Sequence, residues 1–154
     1  MSSIKKSPTY LFVSRNMIGI VLTLLVSLFI FIIASLFITY PVLIKNILSL
    51  FIEIFVILYF LLGAVLIFLT YKKKIKGKQK KLLFLTGASA SGIFLSSLLH
   101  NFLFALSVLA FDIKHMYYFL VFLHMTFFFV AVFICPLGFI IGVIGTIFMY
   151  FRKK

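Results

Sequence analysis

A few polar residues within or beside long apolar runs are the ones in this chain that could do chemistry. They are Glu53, His100, Asn101, His124 and Cys135 inside the runs, and Asp112 and His115 in a short connection between two of them. A carboxylate and an imidazole that face a cavity within a membrane can form a proton relay. Imidazole and thiolate ligands suit zinc, copper and haem iron. The residue types therefore point to two kinds of chemistry, proton transfer and metal binding.

The depth of Glu53 and His100 follows from their distance along the chain to the nearest lysine run. Glu53 lies 19 residues before Lys72, and His100 lies 19 residues after Lys81. In a helix that rises ~1.5 Å per residue, each distance is about 28 Å. Both residues are thus expected near the far boundary of a hydrocarbon layer about 30 Å thick.

Cys135 and His124 are placed in the same way, counting from Arg152. Their separations from it are 17 and 28 residues. These correspond to about 26 and 42 Å along a straight helix. Cys135 is therefore expected at the depth of His100, whereas His124 should lie about 14 Å further out unless the helix is tilted or bent.

Small residues recur at helical spacing on the third and fourth apolar runs. The candidate packing residues are Ala88, Gly92 and Ser96 on the third run and Ala131, Gly138, Gly142 and Gly145 on the fourth. Small side chains let two helices approach closely in lipid, where packing drives association. We expect the two seams to face each other, with His100 near Cys135 and His124 near Ser107. Glu53 would reach His100 if the second helix packs beside the third.

Four apolar runs are long enough to cross a membrane, which takes about 20 apolar residues in a helix. They cover about residues 17–40, 47–71, 82–111 and 117–151. Pro41 ends the first run, and Pro136 gives the fourth a place to bend. The turn 41–46 is short enough to bring the second helix back beside the first. The sequence predicts an all-α, polytopic integral membrane protein: one membrane domain, residues 1–154, of four antiparallel transmembrane helices in two hairpins.

Basic residues are divided unevenly among the segments that join these runs. The middle connection, 72–81, carries Lys72, Lys73, Lys74, Lys76, Lys78, Lys80 and Lys81. Together with the two terminal segments it holds 13 of the 15 basic residues. Cytoplasmic segments carry such an excess, so both termini and this connection are predicted to be cytoplasmic, in a prokaryotic plasma membrane. We expect the repelling lysines to stay solvated and to contact anionic lipid headgroups.

Composition points to lipid as the surrounding solvent. The chain is 65% hydrophobic and only 11% charged, which leaves too little polar surface to cover a water-soluble domain of this size. A net charge of +13 would suggest nucleic acid in a soluble protein. Here the lysines flank apolar runs, where membrane topology and anionic headgroups account for them. Membrane lipids, and not nucleic acid, are therefore the expected partners.

Three functions fit these residues. The default is a non-enzymatic membrane subunit that binds a larger membrane-protein partner or forms a homo-oligomer. The first alternative is a metal- or haem-binding redox protein that uses His100 and His124, with Glu53 and Cys135 as further candidate ligands. The second is a small proton-coupled transporter that uses Glu53 and His100. No nucleophile-elbow or HExxH motif indicates an enzyme, and no motif demands a cofactor, although a metal or haem would suit these ligands.

Overall fold

The computed structural model is helical in all the parts of the chain that it describes. Its backbone description covers residues 8–37, 42–73 and 75–152, and its side-chain description covers 17–35, 51–73 and 75–152. The helices are α1 (Pro8–Phe37), α2 (Val42–Lys72), α3 (Gly77–Leu109), α4 (Lys114–Phe129) and α5 (Cys135–Phe151), with a π-helical turn, Val130–Ile134, between the last two. The predicted end of the first span at Tyr40 lies outside the described residues, as does Lys74. The prediction of a turn over 41–46 needs correction, because α2 begins at Val42 and residues 42–46 are helical.

Four stretches of these helices are long and apolar enough to cross a membrane. They are Met17–Ser35, Phe51–Lys72, Gly77–Leu109 and Lys114–Phe151, and the last of them runs through α4, the π turn and α5. Their outer surfaces are apolar: Ile30, Phe68 and Phe102, for example, are each about 60% exposed. Helices that are apolar on every side belong in lipid. The prediction of four long apolar helices in an all-α protein is confirmed.

The middle connection is shorter than the sequence suggested. Helix α2 ends at Lys72 and α3 begins at Gly77, five residues before the predicted start at Leu82. Lys78 and Lys81 therefore belong to the first turns of α3, because lysine is a good helix former whose long stem can leave an apolar boundary. Gly77 has a φ of +68°, a left-handed conformation that glycine adopts without strain.

Helix α3 is central to the bundle and packs against α2, α4 and α5. Leu83 and Ala90 of α3 are fully buried in the core. The α2–α3 contact is close because Gly63 lies against α3: a methyl group added to it would come within 2.9 Å of the Gly87 carbonyl oxygen. Ser91 of α3 donates a hydrogen bond of 3.3 Å to the Phe60 carbonyl of α2.

Helix α1 packs against α2 and also reaches α5. The ring of Phe29 lies 4.8 Å from that of Phe139 and 6.3 Å from that of Tyr59, measured between centroids. These three aromatic rings, with Leu25 and Leu66, fill the space among α1, α2 and α5. The core thus lies within the bundle and leaves the outer faces to lipid.

The π turn has an identifiable cause in Pro136. Proline lacks a backbone N–H, and its ring would collide with the carbonyl of Val132, four residues earlier. The turn widens at this point, so that the Cys135 N–H donates to the carbonyl of Val130, five residues back. Such turns insert one extra residue into a helix. The irregularity expected at Pro136 is therefore a π turn immediately before it.

Candidate functional site

A pair of histidines in the α3–α4 interface is the main polar contact between side chains of the described spans. The Nδ1 atoms of His100 and His124 are 3.0 Å apart, and the ring centroids are 4.8 Å apart. His100 Nδ1 also lies 2.9 Å from the backbone carbonyl oxygen of His124. His124 is buried and His100 is half-buried.

The donor and acceptor requirements of these contacts fix the protons of the pair. The His124 carbonyl can only accept, so the proton at His100 lies on Nδ1. The N–H of His100 is shared between two acceptors, the carbonyl oxygen of His124 and the lone pair of His124 Nδ1. His124 then carries its own proton on Nε2. With these tautomers both Nδ1 atoms have a hydrogen-bond partner.

Aromatic side chains surround the two imidazoles. The ring of Phe128 lies 5.2 Å from that of His100, and the ring of Phe104 lies 5.5 Å from that of His124. Ser107, which the sequence placed beside His124, instead donates a 2.7 Å hydrogen bond to the Phe104 carbonyl of its own helix. The histidines therefore rely on each other for polar contact.

The predicted 14 Å offset between the two histidines is wrong, because it assumed that Arg152 is level with Lys81, whereas Arg152 lies about two helical turns beyond that level. A methyl group added to Gly145 would come within 2.6 Å of Leu82, so these two residues are level. From this level His124 is 21 residues away and His100 is 18. The remaining difference of three residues, about 4.5 Å, includes the extra residue of the π turn.

Cys135 lies against Gly92, which is eight residues, about two helical turns, from His100 along α3. A methyl group added to Gly92 would come within 2.8 Å of its sulfur atom. The prediction that His100 would lie near Cys135 therefore needs correction: the α3 residue beside Cys135 is Gly92, and the α4 residue beside His100 is His124. Counting residues from the ends of two helices gives only an approximate depth, so it could not decide which turn of α3 lies beside Cys135.

The other small residues form a continuous contact between α3 and α5. Gly138 meets Ser89 and Gly142 meets Thr86. Of the remaining predicted packing residues, Ser96 and Ala131 are buried and Ala88 is half-buried.

Glu53 lies apart from the histidine pair, on the outer side of the α2–α3 contact. Its side chain is exposed and lines a groove of about 280 Å³ with Ile52, Val56, Ile57 and Phe94. Within the described side chains it has no hydrogen bond and no ion pair. Its carboxylate thus faces apolar groups at the surface that lipid would cover.

Metal-ligating residues do not gather into a larger set in the part of the chain that the structure describes. No group of three His, Cys, Asp or Glu side chains there is close enough to hold one ion. Asp112 lies in the connection after α3 and His115 in the first turn of α4, and both are exposed. Asn101 is exposed as well.

Tyr59 is a buried polar residue that sequence reasoning missed. Its ring is 2% exposed, and its hydroxyl has no hydrogen-bond partner among the described residues. The sequence feature that indicates its burial is its place in the middle of an apolar run, since Tyr71, Tyr117 and Tyr150 all lie near span ends. A tyrosine so far from the headgroups was to be expected inside the bundle.

The lysines near the α2–α3 connection take different directions. Lys72 lies over the ring of Phe68 and Lys80 over that of Tyr71, with Nζ to centroid distances of 5.6 and 5.5 Å. Lys73 is partly buried, and this desolvation lowers the pKa of its ammonium group. Cations above aromatic faces are held by the ring quadrupole. Lys72 of α2 and Lys80 of α3 therefore both lie against aromatic rings of α2.

These features define a class: a multi-pass, helical-bundle membrane protein with a histidine pair inside and a carboxylate at its surface. No protein-family model, curated protein or solved structure matches the chain. The function must therefore be argued from the residues themselves.

Proposed function

We propose that this chain is a non-enzymatic membrane subunit that acts by binding another transmembrane helix. Its four spans run antiparallel as two hairpins, with both termini in the cytoplasm of a prokaryotic cell. The order of contacts supports this arrangement, since Gly145, Gly142 and Gly138 meet α3 residues of increasing number. The concentration of lysines at one end supports the orientation.

The observation that carries the proposal is the exposed carboxylate of Glu53 in an apolar groove. Ionisable side chains within membrane spans are rare and usually pair with another group or face water. In the described part of this chain Glu53 has neither an ion pair nor a hydrogen bond. A partner helix that supplies a hydrogen-bond donor or a cation would complete the site.

The groove also suits a helix by shape. Ile57 and Phe94 provide apolar walls on α2 and α3 beside the carboxylate. Packing and interhelical hydrogen bonds are the forces that join helices in lipid. The proposed partner therefore carries Lys, Arg, Asn or Gln near the outer boundary of its span and an apolar ridge beside it.

Site-specific photo-crosslinking from the groove tests this function. A crosslinker at Ile57 should capture a partner helix in native membranes, and one at Ile144, on the exposed face of α5, should not. Glu53→Leu should abolish the Ile57 adduct, whereas Asp112→Asn removes the other acidic side chain and should leave it intact. An adduct with a second copy of the chain would identify a homo-oligomer.

The proposal fails if Ile57 and Ile144 capture the same proteins, or if the adduct survives Glu53→Leu. It also fails if native mass spectrometry of gently solubilised membranes finds only the solitary monomer. The first two results would mean that capture at Ile57 does not depend on the carboxylate in the groove, and the third that lipid alone covers it.

A second candidate, metal or haem binding by His100 and His124, is favoured by the closeness of the two rings. Their Nδ1 atoms already contact each other, so a metal would have to use the Nε2 atoms. Metal analysis and an absorption spectrum of the purified protein test this: it requires stoichiometric metal or a Soret band.

Proton-coupled transport by Glu53 and His100 has less support. His100 is bonded to His124, and Glu53 faces the outside of the bundle. Unchanged flux into proteoliposomes after Glu53→Gln would exclude it.

A further inference from the structure

A basic groove lies at the lysine-bearing end of the bundle, away from the histidines and Glu53. It is formed between the first turns of α3 and the last turns of α5 and has a volume of about 650 Å³. The residues that line it are Lys78, Lys81, Leu82, Gly145, Phe148, Met149 and Arg152. This volume falls within the range of small-molecule sites, about 300–1,000 Å³.

Charge in the groove is strongly one-sided. Lys78, Lys81 and Arg152 contribute three cations. The chain has only two acidic residues, Glu53 and Asp112, and Asp112 lies beyond the other end of the 33-residue helix α3. Glu53 lies beside Phe94, 13 residues beyond Lys81 on α3, so neither acidic side chain can neutralise the groove.

The start of α3 adds to the same field. Its N-cap residue, Lys76, makes no side-chain capping bond, and its first turn has no acidic residue. The first backbone N–H groups of a helix lack partners within it and attract anions. Lysines in a first turn oppose the helix dipole, so a bound anion would relieve an unfavourable arrangement.

The lysines of this region divide into two groups by direction. Lys72 and Lys80 lie over aromatic rings of α2, whereas Lys78 and Lys81 line the groove toward α5. The groove is thus lined by a particular subset of the basic residues, which distinguishes it from a diffuse charged loop. Arg152, which belongs to the C-terminal segment, completes it from the opposite wall.

The floor of the groove is apolar. Leu82, Phe148 and Met149 line it, and Phe148 is 67% exposed. Gly145 packs directly on Leu82, which leaves the larger side chains of both helices to form the walls. An apolar floor beside three cations matches an amphiphile better than a free inorganic ion.

We propose that the groove binds one anionic glycerophospholipid. Its phosphate lies among Lys78, Lys81 and Arg152, and one acyl chain lies along Phe148 and Met149. Basic pockets between transmembrane helices on the cytoplasmic side recognise such headgroups. The proposal concerns a different part of the surface from the Glu53 groove and stands whether or not a partner helix binds there.

Native mass spectrometry of the full-length protein in detergent tests the site. The probe is an equimolar mixture of phosphatidylglycerol and phosphatidylcholine with identical acyl chains. The wild-type protein should retain one phosphatidylglycerol in preference to phosphatidylcholine. The triple variant Lys78→Gln, Lys81→Gln, Arg152→Gln should weaken this retention about tenfold or more, because the phosphate loses the three cations that line the groove.

A matched control separates the groove from general electrostatics. Lys72→Gln, Lys80→Gln, Lys114→Gln removes the same number of charges from lysines outside the groove and should leave retention within about twofold of wild type. Equal loss in the two triple variants, or equal retention of the two lipids by the wild-type protein, would overturn the proposal.

A second pair of variants tests the apolar floor without altering charge. Phe148→Ser should reduce phosphatidylglycerol retention several-fold. Phe122→Ser, at a phenylalanine of equal exposure on α4, should not. If millimolar inorganic phosphate displaces the lipid and Phe148→Ser has no effect, the groove is a phosphate site and the lipid assignment is wrong.

Discussion

The two imidazoles illustrate what one polar contact contributes inside an apolar bundle. His100 and His124 donate and accept between α3 and α4, and phenylalanine rings occupy much of the remaining space around them. Interhelical hydrogen bonds in membrane proteins contribute about 0.6 kcal/mol on average and up to about 1.7 kcal/mol. The pair therefore specifies which turns of the two helices meet more than it determines the total stability.

A double-mutant cycle measures this contribution. His100→Ala and His124→Ala should each lower the free energy of unfolding in mixed micelles, because each change leaves the other ring without its polar partner. The double variant should lose less than the sum of the single variants, with a coupling energy of about 0.5–1.5 kcal/mol.

His115→Ala is the matched control for the cycle, since His115 is exposed at the start of α4. Its effect should be within about 0.5 kcal/mol of zero. Strict additivity of the two histidine substitutions would mean that the observed contact carries no energy.

Glycines determine how closely the helices approach. Gly142 of α5 rests on the backbone of α3: a methyl group added to it would lie 2.9 Å from the Thr86 nitrogen and 3.1 Å from the Leu82 oxygen. Backbone atoms cannot rotate away as side chains can. The α3–α5 interface therefore depends on the absence of a side chain at this position.

Gly142→Ala should consequently destabilise the bundle by about 1–3 kcal/mol, the usual cost of overpacking. Thermal unfolding in detergent would show it as a lower midpoint. Gly19→Ala is the control, because a methyl group added to Gly19 meets nothing within 4 Å. If both substitutions have the same effect, helix propensity rather than interface packing governs stability.

Sequence patterns predicted the helices better than their register. The apolar runs gave four long helices because length and hydropathy are properties of each segment alone. The predicted depth of His124 was wrong because it assumed that Arg152 is level with the lysine run. Only the packing between helices determines that level. The π turn before Pro136 added a further residue that no regular helical spacing includes.

The groove at the ends of α3 and α5 was equally difficult to predict. Lys78 and Lys81 were expected in a loop, and their direction toward Arg152 depends on α3 starting at Gly77. The sequence contains the charges and the apolar residues but not their convergence from helices far apart in the chain.

The whole molecule is electrically polarised along its length. Lysines cluster at the α2–α3 end, whereas Asp112 lies beyond the other end of α3. A chain of this kind should insert with the lysine-bearing end in the cytoplasm, because insertion follows the bias of lysine and arginine in short connections. The same end would then face the leaflet whose anionic lipids the basic groove is proposed to bind.

Thiol labelling in intact cells tests this orientation. Cys135 is the only cysteine of the chain, so Cys135→Ala provides a background without thiols. In that background, His115→Cys should react with a membrane-impermeant maleimide added outside the cells, because His115 is exposed near the connection between α3 and α4. Lys76→Cys should react only after the membrane is permeabilised.

Both single-cysteine variants should label equally in denaturing detergent, which checks that each thiol is intact. External labelling of Lys76→Cys without permeabilisation would mean that the orientation is the reverse of the one proposed and that the basic groove faces the outer leaflet. Labelling of both positions from outside would instead contradict the paired-hairpin topology, because Lys76 and His115 lie at opposite ends of α3 and the membrane must separate them.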